Sequence, residues 1–441
     1  VIEAPPGAGF FAAHTVAGLA ADLRAGRLSP AELVDHALAA AARLGSLNAF
    51  VTLDEPGARA AARRATDELA AGVDRGPLHG IPVAVKDFVD TAGLRTTMGS
   101  RHFADHVPAH DAACVRRLRE AGAIVVGKTV THEFAYGPTG DQSAHGPARN
   151  PYRPTAMSGG SSAGSAVAVA AGIVPLAIGT DTGGSVRIPA ACCGITGLRP
   201  TYGTVPVDGV FPLSPTLDSV GPIARTADDC RLLWRVLSGG SPTGPPGDVR
   251  IGWVPPESLH PTETAVAEAV RRLVPGAGEV AMPGGRALQT VYRVIQSSEA
   301  YAIHADRVAT APGLFGDELV ARLRAAEPVR GWEYVRALAD RRRDVDAVGE
   351  LFAGHDVLAL PTLPVTAPPI GARQGRVRDT EIDIRAALLA LTSPWSVLGL
   401  PALSVPAGLV GGMPAGLQLV AAPGGEELLF ATAERLGQPP R

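Results

Sequence analysis

The sequence predicts an α/β fold: one large body in which helices cover a mostly buried central sheet. Three observations carry this. The 441 residues are 46% hydrophobic, enough chain to bury a large core without disulfide or metal staples. Short apolar runs recur between residues 81 and 420, the pattern of strands buried on both faces. Helical stretches separate those runs throughout, which layers helices on a sheet rather than segregating the two.

The elements follow in order. Residues 11–45 read as helix, rich in Ala and Leu, and Ser29-Pro30-Ala31-Glu32 has the order of an N-cap, a proline at N1 and a Glu at N3. A further helix covers 56–72. Ile81 to Lys86 is a short apolar run between Gly80 and Asp87, suited to a buried strand. Asp111 stands where it would cap a helix running through Glu120, and Ala123-Ile124-Val125-Val126 is the next strand. From 158 to 240, Gly/Ser loops alternate with short helices and strands. Ser238 to Gly247 (SGGSPTGPPG) is the best linker, joining two parts of one body. Beyond it, 249–254 reads as strand, 261–273 and 287–310 as helices, and 315–350 as charged helix. The last segment holds strands at 357–360, 402–405 and 416–420. No internal repeat is present.

Charge and cysteine content exclude several classes. A net charge of −3 without a basic cluster gives no footing for nucleic acid or an anionic membrane. The longest apolar stretch, Ala163 to Gly179, is short for a span and interrupted by Pro175, so it belongs to the core. The start of the chain shows no basic segment followed by an apolar one, so no signal peptide is expected. Cys114, Cys192, Cys193 and Cys230 are too few and too unevenly spaced for a disulfide scaffold or a zinc knuckle. Free buried thiols in a reducing compartment, the cytoplasm, are the plain expectation.

The basic residues are more informative. Of 40 Lys and Arg, only Lys86 and Lys128 are lysine. Arginine cannot lose its proton at working pH, whereas a desolvated lysine can. Lys86 ends an apolar strand, where burial would depress its pKa.

Two Gly-rich loops, Met157 to Ser165 and Gly179 to Arg187, flank a helix of about ten residues, a turn at Gly172 and a strand, Val174–Ile178. The helix carries the chain about 15 Å outward and the strand returns it about 17 Å, so both loops can meet at one sheet edge. Serines on adjacent Gly-rich loops suit nucleophilic catalysis, because glycine lets backbone N–H groups turn toward a developing oxyanion. A seryl hydroxyl needs a base, and a neutral lysine at a strand end can supply one.

On these residues the chain resembles the amidase signature family. The matching segments are GPLHGIPVAVKD (76–87), AGAIVVGKT (121–129), GPARNPYRP (146–154), SGGSSAGSA (158–166), GTDTGGSVRIPAACCGITGLRPTYG (179–203), DSVGPIARTADD (218–229), LPALSVPAG (400–408) and MPAGLQLV (413–420). The resemblance implies a single large α/β domain whose mixed central sheet is flanked by helices on both sides. It divides the chain into an N-terminal helical segment (1–75), a signature core (76–240) and a C-terminal part of the same body carrying the variable pocket helices (241–441). It also implies a Ser–cisSer–Lys triad, with Ser185 as the acyl-forming nucleophile, Ser161 as the bridging serine after a cis Gly160–Ser161 bond, and Lys86 as the base. Backbone N–H groups of Thr182, Gly183, Gly184 and Ser185 correspond to the oxyanion hole. Gly160, Ser162, Asp181 and Arg187 correspond to positions that brace these loops. Family position alone puts the substrate pocket at Met98, Gly99, Ser100, Phe134, Tyr136, Met157 and parts of 300–350 and 390–400. Ala163 departs from the usual glycine, with little bearing on the chemistry. No metal or cofactor is implied.

Other motifs have blander readings. Gly122 to Thr129 fits G-x-x-x-x-G-K-[ST], but its four middle residues are AIVV, themselves a strand, where a phosphate loop needs a loop. Gly160 to Gly164 fits G-x-S-x-G with Ser162 as nucleophile. That elbow needs a preceding strand, where Asn150 to Pro154 reads as loop, and a later Asp and His, which His260, His304 and His355 do not supply. His102, His106 and His110 are spaced like metal ligands on a helix, but Pro108 interrupts it. His79, Cys192 and Cys193 read as packing. Glu299, Tyr301 and His304 read as core or pocket wall.

The expected activity is hydrolysis of a neutral C–N amide bond in a small molecule, with a carbamate or ester as the nearest alternative. A further alternative is the glutaminase component of a tRNA-dependent amidotransferase, ranked lower because the stretch after Leu417 lacks the extra segment associated with that component. A monomer or homodimer is expected.

Overall fold

The computed structural model describes residues 3–5, 7–240, 248–282 and 284–437. The helical stretch expected over 11–45 is two helices, α1 (Val16–Arg24) and α2 (Pro30–Arg43). The break comes where Ser29 forms a complete capping box with Glu32, which satisfies helix-end N–H groups and fixes a new start. A short strand, β1 (Phe50–Leu53), follows; its four residues are too few and too evenly half-buried to show a period. Next come α3 (Glu55–Ala70) and β2 (Pro82–Lys86), every residue of β2 being buried. Helix α4 (Ala113–Glu120) is entered through Ala112 without a side-chain cap. Asp111 therefore does not cap it: one carboxylate oxygen accepts Ala92 N–H at 2.8 Å and the other pairs with Arg119.

The core continues through β3 (Ile124–Thr129), α5 (Ala163–Ala170), β4 (Leu176–Thr180), α6 (Arg187–Cys192), β5 (Thr196–Arg199), β6 (Val220–Ala224) and α7 (Ala227–Ser238). Every residue of α5 is buried, so the apolar stretch 163–179 is core, and among the described residues no helix is long and apolar enough to cross a membrane. Most of the expected linker, 241–247, lies outside the described residues. After it come β7 (Ile251–Trp253), α8 (Thr264–Arg271), β8 (Gly278–Glu279), α9 (Gly285–Thr310), α10 (Asp317–Ala326), α11 (Gly331–Asp346), α12 (Val348–Leu351) and β9 (Val357–Pro361). A surface hairpin that the sequence pattern did not announce, β10 (Gln374–Val377) with β11 (Thr380–Asp383), precedes α13 (Ile384–Ala390) and α14 (Ser393–Val397). The paired strands β12 (Ala402–Val410) and β13 (Met413–Ala421) and helix α15 (Glu426–Leu436) complete the chain described.

Among the described residues, eleven strands form one mixed sheet in the order β1-β3-β2-β4-β6-β5-β12-β13-β9-β7-β8, flanked by helices. Strand β2 runs parallel to both β3 and β4, with Val85 opposite Ile178. Parallel neighbours end at the same sheet edge. Lys86 at the end of β2 and Thr180 at the end of β4 are thereby brought together, and the loop leading into α5 closes over them.

Candidate active site

Lys86 has no exposed surface. Its Nζ donates to Ser161 Oγ at 2.8 Å and to Thr180 Oγ1 at 2.7 Å. Burial pulls the amine down to about 7, and the negative charges of Asp181 and Asp218 only partly oppose this. A large fraction is therefore unprotonated at neutral pH.

Ser161 lies in the loop entering α5, after a cis Gly160–Ser161 peptide bond. Gly160 N–H donates to Pro138 C=O at 2.7 Å, and Ser161 C=O accepts His132 N–H at 3.1 Å. A Cβ on Gly160 would lie 2.6 Å from Gly140 N, so only glycine fits this approach. The two serine loops are tied by backbone: Ser162 N–H donates to Ser185 C=O at 3.1 Å. Ser162 Oγ also donates to Thr180 C=O and accepts Thr180 N–H, both at 3.2 Å. Ser185 is 6% exposed, whereas Lys86 and Ser161 are fully buried. Among the described residues no hydrogen bond joins the Ser161 and Ser185 hydroxyls.

The loop from Asp181 to Arg187 is organised by a buried carboxylate. Asp181 Oδ1 accepts Gly184 N–H at 2.8 Å and Oδ2 accepts Val186 N–H at 3.2 Å. Arg187 grips both oxygens, at 2.9 and 3.0 Å, with neither residue exposed. Burial alone would raise the Asp181 carboxyl, but the Arg187 guanidinium, its hydrogen bonds and Arg199 outweigh it and hold the group well below the usual carboxylate range. Arg187 is itself fixed by Thr392 C=O, Gln418 Oε1 and Ser396 Oγ at 2.8–2.9 Å.

Of the four N–H groups expected to form an oxyanion hole, one already has an acceptor. Gly184 N–H is committed to Asp181, so Gly184 braces the loop. The N–H groups of Thr182, Gly183 and Ser185 have no acceptor among the described residues. Gly183 C=O accepts Thr392 Oγ1 at 2.7 Å, and a Cβ on Gly183 would fall 2.1 Å from the Tyr292 hydroxyl. Thr182 Oγ1 donates to Asp218 Oδ1 at 2.6 Å.

The residues expected to line the pocket form packed walls. Met98, Phe134 and Tyr136 are buried in one aromatic cluster with Phe88 and Phe315. Ser100 Oγ donates to Glu133 at 2.7 Å, Gly99 C=O accepts Ala144 N–H at 2.8 Å, and Met157 is buried in the main core. None of these six expected residues lines the cavity of about 410 Å³ between α9, α10 and α13, whose lining includes Tyr292, Arg293, Gln296, Arg322, Arg385 and Ser393. Tyr292 bounds it against Gly183, and the Arg322 guanidinium rests 3.9 Å from the Tyr136 ring centre. Arg322 and Ser393 fall within the stretches 300–350 and 390–400.

The competing motifs resolve simply. Lys128 lies within β3, fully buried, with Nζ on Val89 C=O, Thr91 Oγ1 and Thr96 Oγ1; burial lowers it to about 8. A strand interior cannot wrap a phosphate. Helix α5 follows a loop rather than a strand, which removes the elbow geometry. His102 packs against Phe315, and no cluster of three metal-ligating side chains occurs among the described residues. His79 is buried beside Arg75, and all four cysteines are free and buried.

Sequence reasoning missed Thr180, Arg199, Thr392, Gln418 and Asp218 as partners of these loops. Thr180, Arg199, Asp218 and Gln418 stood inside quoted segments, but their pairings join residues distant in sequence.

The Amidase family model matches residues 32–271 and 287–430. A glutamyl-tRNA(Gln) amidotransferase component from Roseiflexus sp. (strain RS-1) is 38% identical, with 92% of each chain covered. A crystal structure of an amidase superposes with a TM-score of 0.91 at 36% identity, covering 96% of this chain and 99% of that one. The native peptide amidase from Stenotrophomonas maltophilia superposes with a TM-score of 0.82 at 32% identity, over 98% of this chain and 99% of that one. On the matched span and on the fold alike, the chain belongs to the Amidase family, the amidase signature hydrolases.

Proposed function

We propose that this amidase cleaves the C–N bond of a small neutral amide through an acyl-enzyme on Ser185, with Ser161 as bridging serine and Lys86 as base. The observation that carries the reading is the fully buried Lys86 amine, lowered to about 7 and 2.8 Å from Ser161 Oγ. A neutral amine has two N–H groups and one lone pair. Thr180 Oγ1 can keep one N–H, leaving the lone pair to face Ser161.

Lys86 takes the Ser161 proton as Ser161 takes that of Ser185, and Ser185 Oγ attacks the carbonyl carbon. The oxyanion is held by the unpartnered N–H groups of Thr182, Gly183 and Ser185. The proton then returns through Ser161 to the leaving nitrogen, because an amide anion is a very poor leaving group. Water hydrolyses the acyl-enzyme by the reverse relay. The Ser161–Ser185 contact that the relay needs is one that tightens in the substrate complex, as catalytic hydrogen bonds often do.

One acyl group presented as anilide, aryl carbamate and aryl ester tests the reading, each run against Ser185→Ala. Cleavage abolished by the substitution supports it, and the rate order names the bond. Cleavage that survives Ser185→Ala overturns the nucleophile. The names of the curated relatives favour one second reading, a glutaminase working with partner proteins. Activity confined to glutamine and dependent on a partner would select it.

A further inference from the structure

We propose that Asp218 is the positioning residue of the oxyanion loop, and that Glu299 on α9 fixes Asp218 through the turn 213–218. The inference rests on the Ser185 reading above and concerns how its oxyanion site is held.

Asp218 is joined to the loop by its side chain: Thr182 Oγ1 donates to Oδ1 at 2.6 Å. Its other oxygen accepts the backbone N–H groups of Leu213 and Ser214 at 2.9 and 3.0 Å. The flanking backbone reaches the same loop, since Ser219 C=O accepts Asp181 N–H at 2.8 Å and Leu217 C=O accepts Arg199 at 2.9 Å. Thr182 is thus held by its side chain, and the residue before it by its main chain. A carboxylate offering one oxygen to the loop and one to the turn sets the distance between them.

The far side of the turn hangs on Glu299. Its carboxylate accepts Ser214 Oγ, Thr216 Oγ1, Thr216 N–H at 3.2 Å and the Tyr334 hydroxyl of α11 at 2.8 Å. Four donors saturate the two oxygens and leave the turn little freedom. A continuous path of hydrogen bonds therefore runs from α11 and α9 through the turn to Thr182. Helix α9 also lines the cavity of about 410 Å³ and carries Tyr292, whose ring stands between that cavity and Gly183. A substrate that presses on α9 acts on the same support that aims the Thr182 N–H.

Asp218 also belongs to the electrostatics of the base. Lys86 and Arg199 face it as cations, and Asp181, itself paired with Arg187, and Glu299 as carboxylates. The Tyr292 phenol lies near Asp218, and that of Tyr334 reaches it through Glu299. Burial raises Asp218 itself to about 6, so its charge is present at pH 7 and above, and removing it withdraws one of the two negative charges that hold Lys86 up. Its pKa then falls further, whereas loss of mere packing leaves it in place.

The test measures kcat, KM and the pH dependence of kcat/KM on an aryl amide for Asp218→Asn, Thr182→Val and Thr182→Ser, with Ser185→Ala alongside. Asp218→Asn is expected to lower kcat roughly 10- to 100-fold, the scale of a misplaced catalytic group. KM should change little, and the acid limb should move to lower pH. Thr182→Val should lower kcat with the limb unmoved, because the charge remains, and Thr182→Ser should restore kcat. Should Asp218→Asn fail to fold, the valine and serine pair still decides the positioning role. Unchanged kcat in Asp218→Asn and Thr182→Val, or a rise in KM at constant kcat, overturns the proposal. Failure of the underlying reading looks different: activity would then survive Ser185→Ala.

Discussion

The Ser162 N–H donates to the Ser185 carbonyl at 3.1 Å, so the backbone of one serine loop fixes the position of the other. Ser161 and Ser185 are 24 residues apart in sequence, and this single hydrogen bond holds their loops in register. The Ser162 hydroxyl adds two contacts to Thr180, which also holds Lys86. Lys86, Ser161 and Ser185 thus share one scaffold at the ends of two parallel strands.

Lys86→Arg keeps the charge and removes the ability to deprotonate. Amide turnover should fall at least about 10³-fold, in the range of a lost acid–base group. A chromogenic anilide assay, with circular dichroism to confirm folding, checks this. Retained turnover would take Lys86 out of the relay.

In the wild type, kcat/KM should rise with pH through an acid limb near 7, because the proposed relay needs the unprotonated Lys86 amine, lowered to about 7. A limb unmoved by Asp218→Asn and absent from ester cleavage would assign it to another group. A pH series between 5 and about 9 suffices to place it.

Stability should follow the same proton. Lys86 and Lys128 are lowered from 10.5 to about 7 and about 8, so above those values the unfolded chain binds more protons than the folded one. Stability then rises with pH between 7 and 9, by up to about 1.4 kcal/mol per pH unit for each such lysine. Above 9 the trend reverses in sign for the buried thiols. Cys114 and Cys192 are pushed up to about 12, so unfolding releases their protons. Urea unfolding of wild type and Lys86→Met across this window measures the effect, and the variant should show the shallower slope.

Ser161→Ala should cost far more activity than Ser162→Ala. The first removes the hydroxyl that accepts from Lys86 Nζ and bridges it to Ser185 in the proposed relay. The second keeps the Ser162 N–H to Ser185 C=O bond and loses only the Thr180 contacts, about 1–2 kcal/mol of stability. Rates and melting temperatures for both variants check the order, and a reversed order would point to Ser162 as nucleophile.

Arg187→Ala leaves Asp181 buried without its main partner. A loss of about 3–5 kcal/mol in unfolding free energy is expected, together with loss of activity, because Asp181 holds Gly184 and Val186 N–H. Denaturant unfolding measures the first and an anilide assay the second.

What the sequence determined by itself were the local features. An apolar run ending in Lys86 makes a buried strand, Ser29 to Glu32 makes a cap, and glycines bracketing Ser161 and Ser185 make tight loops, because each depends on residues near one another in the chain. The resemblance carried by SGGSS and GTDTGGS pointed to Ser161 and Ser185 as candidates. The tertiary structure alone decided which N–H groups stay open, since Gly184 is spent on an aspartate three residues earlier, with a geometry no spacing encodes. It alone joined Arg187 to Gln418, Thr182 to Asp218 and Glu299 to Ser214, pairs separated by 231, 36 and 85 residues. Burial also decided the state of Lys86: its amine falls to about 7 only because strands from distant parts of the chain have excluded water from around it.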